Sequence, residues 1–177
     1  LFRSDRHVLN LDGTEVHLIY VGPCHQTGDT LIHVPSEGVV FTGDVIFHEC
    51  TPMGWNGSYE KWMKNLDFII SLKPKVIVPG HGPVCGVEGV VQMKAYLEYV
   101  RGEAMRCFGL GMSALDASKK IDFGPYAGWR APARIFMNVE RAYREFRNEA
   151  GDAPWDHAKT FDAIYHVAKA RGLHLEF

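Results

Sequence analysis

Three short turns in the first half of this chain each carry one side chain of a type that binds metal ions. They read Gly-Pro-Cys-His, Thr-Gly-Asp and Pro-Gly-His-Gly, and they place His25, Asp44 and His81 directly after apolar runs. Two imidazoles and one carboxylate are a ligand set that suits Zn(II) or Fe(II). A lone histidine is most often an ordinary core or surface residue, but three ligand-type residues at three strand exits favour a shared role. The sequence therefore predicts a metal site built from these three residues.

The segments that must position these turns are short apolar or β-branched runs bounded by Gly, Pro, Asp and Ser, which is the composition of β-strands. These runs are residues 15–21, 30–34, 38–41 and 76–78. Residues 35–38 separate the second run from the third and predict a hairpin. A helix is predicted over 58–72, where apolar residues recur at i, i+3 and i+4 behind a Ser58 cap. If the strands lie side by side in one sheet, the three turns converge on one edge, where catalytic sites commonly form.

After Gly86 the pattern changes to helix. The predicted helices cover residues 87–108, 113–121, 132–146 and 154–171. Ser113 and Asp116 match a capping box, and Gly172 suits the left-handed residue that ends a helix. The third of these helices has one apolar face, and charges alternate on the other, which is typical of a solvated side. The charged residues are Arg134, Glu140, Arg141, Arg144, Glu145 and Arg147. We therefore divide the chain into residues 1–111 and a helical cap over 112–177.

The composition excludes several classes of protein. The chain has 177 residues, is 46% hydrophobic and carries a formal net charge of −2. Its near-neutral charge gives no electrostatic footprint for nucleic acid or for an anionic membrane. No apolar run is long enough to span a bilayer, and no signal peptide is visible. The four cysteines lack Cys-x-x-Cys spacing, which favours reduced thiols in a cytoplasmic protein, although Cys24 and Cys50 lie close to the metal turns in sequence.

Beyond these patterns, residues 22–82 resemble the later metal-binding motifs of the metallo-β-lactamase-fold hydrolases, and of their glyoxalase II-like branch in particular. Gly-Pro-Cys-His-Gln-Thr-Gly-Asp, ending at Asp29, is similar to the third motif of that family. Phe-Thr-Gly-Asp-Val-Ile-Phe resembles its fourth motif, and Pro-Gly-His-Gly-Pro resembles its fifth. The resemblance implies that His25 binds one metal, that His81 binds a second and that Asp44 bridges the two.

One departure from the family pattern matters as much as the match. The first metal motif of the family, His-x-His-x-Asp-His, is absent from this sequence. The resemblance therefore implies an α+β fold: the C-terminal half of an αββα sandwich, with a mainly antiparallel sheet, flanking helices and a C-terminal helical region. Each metal would then keep one histidine and a shared carboxylate, which is too few ligands for tight zinc binding. Three outcomes stay open: the missing half comes from elsewhere, one metal collapses onto the three ligands, or the site is empty.

The function implied by the resemblance is that of a metal-dependent hydrolase, or a truncated fragment of one, that is feeble or inactive alone. A metal-bound hydroxide would attack an ester, thioester or lactam carbonyl of a small-molecule substrate. Up to two Zn(II) ions are expected in an intact enzyme, and Fe(II) or Mn(II) also suits the ligands. The alternative is a non-catalytic half-domain that forms a homo-oligomer or pairs with the missing N-terminal half. The nucleic-acid-processing members of the superfamily are disfavoured by the near-neutral charge.

Several other residues near the turns are candidates for supporting roles. Asp29 is expected to orient His25 rather than to bind metal. His48 follows the Asp44 turn and is a candidate replacement ligand or proton donor, although a polar loop explains it as well. Met53, Trp55 and Trp129 sit in loops and would either line a substrate pocket or simply pack. The histidines that we interpret as structural are His33, His157, His166 and His174. Arg130 and Arg134 would suit contact with an anionic substrate, but exposed arginines are common and need no functional role to explain them.

Overall fold

The computed structural model describes residues 5–149 and 153–175, and five strands of its first half form one sheet. The strands are β1 (Arg6–Leu11), β2 (Thr14–Tyr20), β3 (Thr30–Val34), β4 (Val39–Phe47) and β5 (Val76–His81). They lie in the order β1-β2-β3-β4-β5, with antiparallel pairing from β1 to β4 and parallel pairing between β4 and β5. Strands β2, β4 and β5 therefore run in the same direction and end at the same edge. The predicted α+β half sandwich and the predicted hairpin are confirmed.

The helices follow the predicted positions closely. They are α1 (Tyr59–Ser71), α2 (Val87–Gly109), α3 (Ala114–Lys120), α4 (Ile135–Phe146) and α5 (His157–Arg171). The Ser58 side chain accepts a hydrogen bond from the Lys61 amide at the start of α1, and Ser113 does the same for Asp116 at the start of α3. Gly172 ends α5 with φ of 62°. None of the helices in the described residues has both the length and the apolar character needed to cross a bilayer.

One face of the sheet is buried against the helices. Ile19, Leu31, Val40 and Ile77 project from four neighbouring strands and belong to the same buried cluster as the apolar faces of α1, α2 and α4. Trp62 of α1 is fully buried, and its indole N–H donates to the carbonyl of Val45 at 2.8 Å. Burial of a side chain of this size contributes about 2–3 kcal/mol. The buried cluster continues through the C-terminal helices. The division of the chain into residues 1–111 and 112–177 therefore stays a prediction. Its outer limits, residues 1 and 177, lie outside the described residues.

The opposite face of the sheet is apolar and uncovered within the described residues. The strand registers put alternate residues on this face, among them Leu9, Leu11, Tyr20, Ile32, Phe41 and Val76. All six of these side chains are between 36% and 58% exposed. We call this set of residues the open sheet face. A contiguous apolar surface of this kind marks an interaction site in ordinary proteins.

The structure corrects three predictions. Strand β1 was not expected, and β4 does not end before Asp44 but runs to Phe47. The register between β4 and β5 shifts at Gly43, which has φ of 51°. Pairing with β5 resumes after this shift, because the apolar residues that follow Gly43 return β4 to the core. The charged face of α4 is not fully solvated: Arg134 and Arg141 are only 5% and 4% exposed, because α4 packs against other elements on more than its apolar side.

Candidate metal centre

The three predicted ligands meet at the edge where β2, β4 and β5 end. His25 lies in the turn after β2, Asp44 lies within β4, and His81 is the last residue of β5. Nε2 of His25 is 3.5 Å from Oδ2 of Asp44, and Nε2 of His81 is 3.6 Å from Oδ1 of the same carboxylate. Each imidazole therefore faces its own oxygen of one shared carboxylate. Both distances are longer than an ordinary hydrogen bond, so the carboxylate is not saturated by these rings.

Phe47 and Gly80 shape the floor of this centre. The Phe47 ring is stacked on His81, with centroids 4.8 Å apart and 7° between the planes, and it lies 6.2 Å from the His25 ring. Gly80 leaves the space that Asp44 uses, because a Cβ at Gly80 would lie 2.0 Å from Oδ1 of Asp44. Neither residue was a sequence candidate for contact with the ligands, although both lie inside the motifs that supplied them.

The turn that carries His25 is held by a single carboxylate. Asp29 accepts hydrogen bonds from the amides of Cys24 at 2.9 Å, His25 at 2.7 Å and Gln26 at 3.1 Å. It also accepts from the Cys24 thiol at 3.0 Å. These bonds orient the backbone of the turn, as expected of Asp29.

The electrostatic environment of the turn favours a neutral imidazole and a protonated thiol. Burial lowers the pKa of His25, while the carboxylates of Asp44 and Asp29 oppose that shift. The neutral ring is the form that binds metal. Burial, assisted by Asp29, raises the pKa of Cys24 to about 12. Cys24 therefore stays a thiol at neutral pH in the metal-free chain, which disfavours Cys24 as a thiolate ligand.

His48 lies next to the centre and makes its own contacts. Its backbone amide donates to the carbonyl of His81 at 3.0 Å, and its Nδ1 is 3.0 Å from the carbonyl of Pro83. The side chain is buried, so the ring links the end of β4 to the turn that follows His81. A role for His48 as ligand or proton donor stays a prediction.

The loop aromatics take part in packing, and one of them also borders a groove. Trp55 packs against Trp155, His157 and Phe161, with its ring centroid 4.4 Å from that of His157. Trp129 packs against the rings of Tyr96 and Tyr126, with centroids 5.1 and 4.9 Å away, and lines a groove of about 410 Å³ beside Glu49. The other residues of the groove are Val91, Gln92, Ala95, Pro125 and Tyr126. Trp129 is therefore a packing residue that also borders the groove.

The histidines interpreted as structural contact residues other than the three ligands. The His33 ring is edge-on to His17 across the β2–β3 pair, with centroids 5.8 Å apart. His166 pairs with Asp162 along α5 at 3.5 Å, and His174 is exposed. Within residues 5–149 and 153–175, no group of three or more His, Cys, Asp or Glu side chains has the geometry to hold a metal ion by itself. The candidate centre consists of the Asp44 carboxylate with one histidine on each side, His25 and His81.

Comparison with known proteins finds similarity concentrated in the first half of the chain. Residues 2–81 match the family model described as the metallo-beta-lactamase superfamily. A segment of 82 residues is 31% identical to the 2,4-dinitroanisole O-demethylase subunit alpha of Nocardioides sp. (strain JS1661), covering 44% of this chain and 24% of that protein. A segment of 96 residues is 28% identical to the metallo-beta-lactamase type 2 of Bacteroides fragilis, covering 51% of this chain and 39% of that protein. The chain thus spans a quarter to two fifths of the length of these relatives.

Solved structures extend the similarity to the helical region. The sec-alkylsulfatase Pisa1 from Pseudomonas sp. superposes with a TM-score of 0.62 at 14% identity, over 82% of this chain and 26% of that one. A metallo-beta-lactamase family protein from Thermus thermophilus gives a TM-score of 0.59 at 17% identity, over 83% of this chain and 48% of that one. These identities are low, so the superpositions establish the fold alone.

Proposed function

Since residues 2–81 match the metallo-beta-lactamase superfamily model, we propose that this chain supplies one half of the active site of a metal-dependent hydrolase. The observation that carries the proposal is the shared carboxylate: Asp44 faces His25 with one oxygen and His81 with the other, at 3.5 and 3.6 Å. A carboxylate placed in this way between two imidazoles suits a bridge between two cations rather than a ligand to one.

The chemistry of the donor set supports divalent metal, with Zn(II) as our first choice and Fe(II) or Mn(II) as alternatives. Two neutral imidazoles and a carboxylate that is not saturated by hydrogen bonds are available donors. His25 and Asp44 would hold one ion, and His81 and Asp44 would hold the other. A bound divalent cation supplies Lewis acidity and lowers the pKa of water. Because a closed zinc site takes four ligands, further donors would be needed, from His48 or from groups outside the described residues.

The residues of this chain each have a part in the proposed site. Asp29 fixes the backbone at His25 through its hydrogen bond to the His25 amide. Burial of the turn, and not Asp29, favours the neutral imidazole. Phe47 covers one face of His81 and excludes water from beneath it. In this proposal the groove beside Glu49 and Trp129 would receive a small-molecule substrate with an ester, thioester or lactam carbonyl for water to attack. The activities named for two similar proteins, a lactamase and an alkylsulfatase, are in keeping with a hydrolytic reaction.

The proposal is tested by titrating the 177-residue chain with zinc, iron(II) and manganese(II) while the histidine rings are followed by NMR. We expect weak binding that shifts the His25 and His81 resonances and that Asp44→Asn reduces at least about tenfold, because even outer partners of metal ligands are worth that much. Asp67→Asn, a surface carboxylate paired with Lys94, is the control. Hydrolysis of a p-nitrophenyl ester, a thioester and a cephalosporin is measured in parallel. Unshifted histidines would contradict the site, and two tightly bound metals with robust turnover would contradict its being half of one.

A second candidate function is favoured by the open sheet face. We propose that this apolar face packs against the N-terminal half of the same sandwich, carried on a longer polypeptide or on a separate chain. The aligned segments cover only 24% and 39% of the two matched relatives, which agrees with such an occupant. The same half would bring the missing ligands to the edge that carries Asp44.

The coding sequence upstream of Leu1 tests this pairing. We expect a His-x-His-x-Asp-His motif in frame, and we expect the extended protein to bind less of a hydrophobic dye than the present chain does. Sedimentation of the present chain is the second measurement. A stable dimer that buries the open sheet face would show that a second copy is the occupant instead, and an upstream region without the motif would contradict an in-frame partner.

A further inference from the structure

Arg141 of α4 is a buried charge that the metal centre described above does not use. Its side chain is 4% exposed, and burial lowers its pKa. The guanidinium carbon lies 5.1 Å from the centre of the Trp62 ring. Nη2 is buried without a hydrogen-bond partner among the described residues. Burying a guanidinium is unfavourable unless its contacts compensate, so the contacts that it does make need a physical explanation.

Those contacts lead directly to the turn that carries His25. Nη1 of Arg141 donates to the carbonyl oxygen of Cys24 at 3.0 Å. This oxygen belongs to the peptide unit whose amide is the N–H of His25, and that N–H donates to Asp29 at 2.7 Å. A cationic donor therefore holds one end of this peptide unit and an anionic acceptor holds the other. Hydrogen bonds to charged groups are about twice as strong as neutral ones.

The same guanidinium ties a second segment to the turn. Nη1 also reaches the carbonyl oxygen of Gly57 at 3.3 Å, in the loop before α1. A Cβ at Gly54 of this loop would lie 2.8 Å from Nη2 of Arg141 and 2.6 Å from the carbonyl oxygen of Cys24. The amide of Trp55 donates to the carbonyl oxygen of His25 at 2.7 Å. The loop, the turn and α4 thus meet at one guanidinium.

We propose that Arg141 is a positioning residue for His25, and that α4 is for this reason part of the metal centre rather than a detachable cap. The link to metal rests on the proposed function, whereas the link to the His25 peptide unit rests on the contacts above. Arg141 acts through the backbone and touches neither a metal nor a substrate.

The experiment compares Arg141→Met and Arg141→Lys with the matched control Arg144→Met. Arg144 lies on the same helix, donates to the carbonyl oxygen of Ala153 at 3.0 Å and lies 4.0 Å from the Trp155 ring, so it makes the same kinds of contact away from His25. In the metal-free chain, we expect Arg141→Met to speed amide exchange at His25 by roughly ten- to a hundredfold, as loss of a charged hydrogen bond predicts. We expect Arg141→Lys to restore part of the protection and Arg144→Met to leave it unchanged.

A zinc titration of the same variants, followed by the His25 ring resonances, reports on the metal. We expect Arg141→Met to weaken the zinc-induced shift at His25 more than the shift at His81. If the His25 amide exchanges equally slowly in Arg141→Met and Arg144→Met, the proposal is wrong. If zinc moves no histidine in the unaltered chain, the proposed function fails, while amide exchange still decides the role of Arg141. Should Arg141→Met fail to fold, Arg141→Lys against Arg144→Lys makes the same comparison, and equal exchange at His25 in that pair would overturn the proposal.

Discussion

The ring of Phe47 lies flat against the ring of His81, with 4.8 Å between the centroids and 7° between the planes. Phe47 is also fully buried and contacts Trp62 edge-on, so the last residue of β4 connects the hydrophobic core to a candidate metal ligand. We therefore expect packing changes in the core to reach the candidate site through the Phe47 side chain.

Phe47→Leu removes the aromatic stacking on His81 but keeps a large apolar side chain at this position. We expect it to lower the free energy of unfolding by only about 1 kcal/mol, because a large apolar side chain remains, and to broaden the His81 ring resonances as the stack is lost. Phe47→Ala removes both the stacking and the apolar bulk, and we expect it to lower the free energy of unfolding by about 3–5 kcal/mol. Denaturant unfolding and histidine NMR make the comparison, with Phe146→Leu, which packs on Phe108, as the control. Unchanged His81 resonances in Phe47→Leu would show that the stack does not order the ring.

Gly80→Ala tests the close approach of β5 to Asp44. The added Cβ would lie 2.0 Å from Oδ1 of Asp44, so the carboxylate or the strand must move. We expect a loss of about 1–3 kcal/mol in the free energy of unfolding, as for other overpacked sites, together with shifted His25 and His81 resonances. Gly28→Ala is the control, because a Cβ there meets nothing within 4 Å and the change is expected to stay within about 0.5 kcal/mol. Equal effects of the two variants would contradict the close packing.

His33 gives the fold a predicted dependence on pH. Burial, the His17 ring and the Arg6 guanidinium all lower the pKa of His33 in the folded chain, so the unfolded chain binds the proton more readily. The contribution of neutral His33 to stability is present above the unfolded pKa of about 6.5 and is lost as the pH falls below it. We expect the denaturation midpoint to fall less between about pH 7 and pH 5 in His33→Gln than in the unaltered chain. His166→Gln on the surface of α5 is the control, and parallel pH profiles for all three proteins would refute the assignment.

Phe41→Lys probes the open sheet face. Phe41 is 42% exposed and lies opposite Ile32 of β3 and Val78 of β5. We expect the variant to fold with a circular dichroism spectrum like that of the unaltered chain, and to bind less hydrophobic dye, because a charge interrupts the apolar surface. Phe68→Lys changes an equally large side chain on α1 and is expected to alter dye binding less. Sedimentation of the two variants reports whether the face mediates association between copies.

Much of the fold was predictable because local signals were strong. Strand β3 begins and ends where its composition and its flanking turns indicated. Helix α1 follows its predicted Ser58 cap and ends at Ser71, one residue before its predicted end. Strand β1 was missed because both of its faces are exposed in the described residues, so its sequence carries no clear in–out contrast. The place of β1 at the edge of the sheet depends on its pairing with β2. The sequence of β1 alone does not indicate this pairing.

The candidate site was predictable in part. The ligand types and their strand-exit positions indicated that His25, Asp44 and His81 would meet, and the structure brings each histidine beside the carboxylate. The burial of Arg141 could not be foreseen, since an arginine among alternating charges on a helix is normally solvated. Its environment is created by the Cys24 turn and the Gly57 loop, which lie more than 80 residues away in the sequence.

The Asp29 turn also bears on how a cation would enter and leave the site. Its carboxylate holds the amides of Cys24, His25 and Gln26, so the backbone at His25 is already ordered in the metal-free chain. Capture of a cation by the proposed site would then require no folding step, and the ordering entropy that small zinc domains lose on loading would be avoided. Metal exchange is accordingly expected to follow the water-exchange rate of the ion rather than a conformational search. A chelator is expected to strip the ion and leave the far-ultraviolet circular dichroism spectrum unchanged.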